Sequence, residues 1–160
     1  MHIESTIEIF RPREEVFDYL AHSEFLPDYA ADFVWVRQTS DGAPRLGTEY
    51  AYEMVRGSTG TFQRTMYEPF SKLAWEGPPA RSGPGTMAPS GSWELSDVHG
   101  ATRVNLVMSP IPRGLLRFMA PMISKRIASG LPEALKRLKQ RLEHVSTGTD
   151  DGSVPTAHHS

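Results

Sequence analysis

The chain has 160 residues, of which 39% are hydrophobic and 22% charged, and a formal net charge of −2. That length suits a single domain whose core needs no covalent staple, and the lack of any cysteine excludes disulfides, cysteine-bound zinc, iron–sulfur ligation and thiol catalysis. The slight acidity argues against general nucleic-acid binding, and no window of about 18 apolar residues is present to span a membrane.

Residues Met1 to Thr6 lack a basic region followed by an apolar one, so the expected location is the cytoplasm. Ile3 to Phe10 reads as a strand, because Ile3, Ile7 and Ile9 alternate with Glu4, Thr6 and Glu8. A helix follows from Arg11. Pro12 suits its first turn, Glu14 and Glu15 suit its positive end, and Val16, Phe17 and Leu20 form its apolar stripe. A second short helix is expected near Glu24 to Tyr29.

From Phe33 the pattern turns to strands: Phe33 to Thr39, Thr48 to Arg56, Thr61 to Glu68, Lys72 to Glu76, Ser92 to Asp97 and Thr102 to Ser109. Gly57-Ser58-Thr59-Gly60 and His99-Gly100 read as hairpin turns, and Pro78 to Pro89, crowded with Pro and Gly, reads as loop. Arg113 to Glu143 reads as a long helix with Leu131, Leu135, Leu138 and Leu142 on one stripe, and with kinks or breaks expected at Pro121 and Pro132. Residues from Ser146 to Ser160 show no apolar period and read as a disordered tail after a domain spanning 1–145. Strands in sequence joined by short turns make an antiparallel sheet, so the class is α+β.

Several strings carry a family resemblance. They are Ser5-Thr6-Ile7-Glu8-Ile9, Arg11 to Leu20, Leu26-Pro27-Asp28-Tyr29, Leu46-Gly47-Thr48-Glu49-Tyr50, Tyr67-Glu68-Pro69 with Leu73-Ala74-Trp75, Gly100 to Val104, and Leu135 to Lys139. In this order they resemble the polyketide cyclase/dehydrase branch of the START-related (SRPBCC) superfamily, over about residues 3 to 143. The resemblance implies a helix-grip fold: a curved seven-stranded antiparallel sheet, two short helices after the first strand, and a long C-terminal helix enclosing a cavity for an apolar, often ring-containing ligand. Members include cyclases, dehydrases, lipid and quinone carriers and receptors, so the fold leaves the activity open.

Alternation assigns Tyr50, Tyr52 and Met54 to one face, and places Leu73 with Trp75, Trp93 with Leu95, and Val104 with Leu106 and Met108, all inward. If Phe62 and Met66 point inward, Arg64 does too. A buried guanidinium needs a partner: a ligand carboxylate or enolate, unless Arg64 instead pairs with Glu49 or Glu53 across the strands. Tyr50, Tyr52 and Arg64 are therefore the candidate polar contacts, with Trp75 and Trp93 as core or ligand wall. Leu115, Leu116, Phe118, Met119, Met122 and Ile123 are apolar around most of the helix circumference, which suits cavity lining, a dimer contact, or contact with an anionic membrane beside Arg113, Arg117, Lys125 and Arg126; the resemblance implies the first, with Leu115, Phe118, Met119 and Met122 as cavity lining.

No histidine has metal-site spacing, so neither metal nor cofactor is expected. His22 near Glu24 is the one short-range acid/base pair near the expected opening. Arg113 to Glu143 carries eight Lys/Arg against two Glu; this is either a solvated helix face or a contact with an anionic membrane. The expected partner is a hydrophobic small molecule held by a carrier or sensor, as a monomer or homodimer. A polyketide cyclase or dehydratase is the competing class, and a membrane-associated lipid or quinone carrier the third.

Overall fold

The computed structural model describes the backbone of residues 1–157 and the side chains of residues 1–144. The tail expected over 146–160 lies beyond the residues described with their side chains. Strand β1 (Ile3–Ile9) leads into helix α1 (Arg13–Ala21), a 3₁₀ turn (Ser23–Phe25) and helix α2 (Leu26–Tyr29). Strands β2 (Phe33–Gln38), β3 (Glu49–Met54), β4 (Thr59–Glu68) and β5 (Lys72–Glu76) follow as a meander. A short hairpin, β6 (Ala80–Ser82) and β7 (Gly85–Ala88), precedes β8 (Ser90–Val98) and β9 (Ala101–Met108). The chain ends with β10 (Ile111–Gly114), a 3₁₀ turn (Leu115–Met119) and helix α3 (Ala120–Ala157).

Seven strands make one sheet in the order β1-β9-β8-β5-β4-β3-β2, every pair antiparallel. With the two short helices after β1 and the long terminal helix, this is the expected α+β helix-grip architecture. His99 and Gly100 join β8 to β9 with φ of 46° and 82°, the doubly left-handed turn that matches strand twist and that glycine tolerates best.

The core sits between the sheet's inner face, α1 and α3. Phe17, Leu20, Leu73, Val104, Leu135 and Leu138 are almost completely buried there. A second cluster, Val36, Tyr50, Tyr52 and Phe62, fills the β2–β4 end, and Trp75 and Leu26 pack against both clusters. Two glycines make room for inward rings. Gly60 lies opposite Tyr52, and Gly91 opposite Trp75. A β-carbon at either position would collide with the facing ring.

Four sequence expectations are corrected. Pro78 to Pro89 is not all loop: β7 pairs with β6 on one side and with β10 on the other in a small second sheet. Their turn-rich composition hid strands whose pairing is decided by tertiary contact rather than local propensity. Arg113 does not begin the helix, because Ile111–Gly114 is a strand and Leu115–Met119 a 3₁₀ turn. Pro121 falls in the first turn of α3, where proline fits, and the helix runs on past Pro132 without a break. Finally, β4 carries an irregularity: Arg64 pairs with Trp75 but Met66 with Ala74. The extra residue, Thr65, resets the alternation, so Met66 does not share the inward face of Phe62 and Arg64, and Tyr67, opposite Leu73, turns inward against Phe17 instead (ring centroids 5.2 Å).

Candidate functional site

Arg64 is buried at 2% exposure, and its partner is neither Glu49 nor Glu53. Glu53 instead accepts from the Trp35 indole at 3.0 Å. The Arg64 Nη2 donates to the Ala21 carbonyl at 3.2 Å and to Ser23 Oγ at 2.8 Å. The Tyr50 hydroxyl donates to the same Ala21 carbonyl at 3.0 Å. Ala21 is the last residue of α1, so its carbonyl has no acceptor role inside the helix and carries part of the negative end of the helix dipole. A guanidinium and a phenol from the neighbouring strands β4 and β3 satisfy it. The Arg64 guanidinium also lies 5.8 Å from the Tyr50 ring, and its Nε is buried with no acceptor.

Helix termination by side chains from strands distant in sequence leaves no local signature. Arg64 and Tyr50 were legible as inward residues, but Ser23 and the Ala21 carbonyl were not legible as their partners.

The remaining candidates divide into walls and rim. Tyr50 stacks on Phe62 at 5.1 Å, and Tyr52 lies 5.6 Å from Phe33. Trp75 and Trp93 stand 6.4 Å apart, with Tyr29 6.2 Å from Trp93. Trp93 is buried, whereas Trp75 faces inward and is still only half-buried. Burial raises the phenol pKa of Tyr29 far beyond the usual range, with the nearby Tyr19 adding to the effect, and burial also raises that of Tyr52. Both are neutral phenols near pH 7.

On α3, the inward stripe is graded. Leu138, Leu135 and Leu131 are buried, then Ile127 and Ile123 are half-buried, as is Met119 in the preceding turn. Burial along the stripe is therefore deepest at Leu131–Leu138 and falls off toward Ile123 and Met119; Leu142, beyond Leu138, is half-buried too. Leu115, Phe118 and Met122 do not take the expected inward place: they are 62%, 74% and 60% exposed. A 3₁₀ turn has three residues per turn, so Leu115 and Phe118 eclipse one another on the outside while Leu116 and Met119 turn in. The α-helical period assumed from the sequence gave the wrong face.

Two grooves, of about 510 and 490 Å³, lie on the outer face of the sheet among polar side chains such as Glu4, Lys72, Gln63 and Glu76. His22 does not pair with Glu24. Its Nδ1 sits 2.8 Å from the Asp18 carbonyl, one helical turn back. Among the described residues no group of three or more His, Asp or Glu side chains is arranged to hold a metal ion. Also among them, no helix is long and apolar enough to cross a membrane.

The shape matches solved proteins over nearly its whole length. A protein from Thermus thermophilus superposes with a TM-score of 0.75 at 15% identity, covering 91% of this chain and 99% of its own. A START superfamily protein from Mycobacterium smegmatis gives 0.74 at 10% identity, with 90% and 98% covered. The Zhui aromatase/cyclase from a Streptomyces species gives 0.68 at 17% identity, with 89% and 95% covered. Likeness at this identity speaks to fold alone. Comparison with curated proteins gives no match. The model of the polyketide cyclase/dehydrase and lipid transport family matches residues 1–143, and the chain therefore belongs to that family.

Proposed function

We propose that this protein binds a hydrophobic or aromatic small molecule between the inner face of the sheet and the less covered half of α3, as a carrier or sensor. The observation that carries the reading is the graded burial along α3. Ile127, Ile123 and Met119 lose cover while Trp75 and Met108, inward on the sheet, are themselves half-buried. Apolar side chains that face a core and yet stay partly uncovered are what an apolar ligand would bury. Trp75 and Trp93 would be its aromatic walls, and Tyr50, Tyr52 and Arg64 its polar end. The unused Nε of Arg64 suits a ligand oxygen carrying negative charge. Met119, half-buried in the turn before α3, would stand at the rim of the site.

A cyclase or dehydratase is the second reading, and the polar inventory weighs against it. The buried polar or charged residues described are Ser23, Thr48, Arg64 and Thr102. None is a carboxylate or imidazole able to shuttle a proton near pH 7, and the neutral phenols of Tyr29 and Tyr52 are donors, not bases. Native mass spectrometry of protein purified from its source tests the ligand reading: one apolar molecule per chain is expected, released on denaturation. Protein that carries nothing, and that takes up no member of a panel of flat aromatic carboxylates and fatty acids, would refute it.

A further inference from the structure

Ten large hydrophobic side chains stand exposed among the described residues, and four of them fall within 111–122: Ile111, Leu115, Phe118 and Met122. The 3₁₀ period aligns Leu115 with Phe118, and Met122 follows one α-helical turn later, so the three form a ridge. The ridge is held in place. Leu116 beside it is buried, and β10, which leads into it, is paired to β7 from Ile111↔Ala88 to Gly114↔Gly85.

The surrounding charges have one sign. Arg113, Arg117, Lys125 and Arg126 are exposed, and after Asp97 no carboxylate occurs until Glu133. Arg81 on β6 lies across Thr86 from Arg113, on the same face of the small sheet. The stretch 77–93 that supplies β6 and β7 also contains no Asp or Glu, in a chain whose net charge is −2. An apolar ridge between cations fits the headgroup boundary of an anionic bilayer, which accepts both. A second copy fits less well, since a two-fold contact would set these cations against their own counterparts.

We propose that this face docks the protein on an anionic lipid bilayer. Leu115, Phe118 and Met122 enter the headgroup–acyl boundary, and the flanking cations meet lipid phosphates. The inference uses only outward-facing side chains and stands whether or not a ligand is bound inside.

Co-sedimentation of the full chain with vesicles of phosphatidylcholine, alone or mixed with phosphatidylglycerol, tests it. The wild type is expected on the mixed vesicles, less so as salt rises, and hardly at all on pure phosphatidylcholine. Phe118→Asp should lower the partition coefficient about tenfold or more, and Arg117→Gln with Lys125→Gln roughly fivefold per charge. Arg56→Gln, on the exposed β3–β4 turn, should leave it unchanged. All these side chains are exposed, so urea midpoints should hold and separate docking from folding. Equal partition of wild type and Phe118→Asp, equal binding to both vesicle types, or no binding at low salt would each overturn the proposal. So would a wild-type dimer that Phe118→Asp dissociates without any vesicle binding, which would assign the ridge to a second copy.

Discussion

The Ala21 carbonyl receives two donors from different strands, Tyr50 Oη at 3.0 Å and Arg64 Nη2 at 3.2 Å, and this sharing predicts a particular failure of additivity. Tyr50→Phe removes one neutral hydrogen bond but leaves the carbonyl satisfied by Arg64. The expected cost is about 0.5–1.5 kcal/mol. Arg64→Met removes two bonds from a charged donor and orphans Ser23 Oγ, yet it also removes a buried cation and leaves the carbonyl held by Tyr50. Its expected cost is about 1.5–3 kcal/mol. The double variant differs in kind, because the buried α1 terminus then has no donor at Ala21. Stranding such an acceptor adds about 1–3 kcal/mol beyond the sum of the single changes. Urea unfolding followed by tryptophan fluorescence measures all four proteins, valid where the slope m stays constant. Additivity within about 0.3–0.5 kcal/mol would mean that the two side chains do not share the carbonyl, and the account of Arg64 as a terminator of α1 would fail.

Other expectations are simpler. Leu138 is fully buried on α3, so Leu138→Ala should cost about 2–5 kcal/mol in the same assay; less than about 0.5 kcal/mol would mean that the stripe does not pack on the sheet. Gly91→Ala would drive a methyl into the Trp75 ring and the Val107 carbonyl, and should cost about 1–3 kcal/mol with a shift in tryptophan emission. Glu143 is subject to burial, which raises its pKa, but hydrogen bonds from Lys139 (2.7 Å) and the Phe10 amide (2.9 Å) prevail and hold it below 4.5. A depressed carboxyl stabilises the fold above its unfolded value and loses that contribution as pH falls through its folded value. Glu143→Gln should therefore flatten the loss of stability below about pH 4.5, and an unchanged acid limb would contradict the assignment.

The sequence was most informative where one face of a strand or helix is buried. Leu73/Trp75, Trp93/Leu95, Val104/Leu106 and the α3 leucines all carried a readable period, and their faces agree with the structure. It misled where local composition and tertiary pairing disagree, as in the Pro- and Gly-rich 78–89, where β6 pairs with β7 and β7 with the distant β10. A bulge costs one residue and leaves no compositional mark, so the inward turn of Tyr67 was invisible. The largest consequence came at 115–119, where a 3₁₀ turn replaced the assumed α-helix and moved Leu115 and Phe118 from the interior to the surface. Arg64 was readable as inward from alternation alone, whereas its partner, a helix-terminal carbonyl, is a backbone group that no residue identity announces.

Methyl-labelled NMR with a titrated apolar aromatic probe tests interior ligand binding most directly. Saturable shifts at one probe per chain are expected, centred on Met108, Met119, Ile123 and Ile127 and on the Trp75 indole. Shifts confined to the outward Ile111, Leu115 and Met122, or none that saturate, would contradict it.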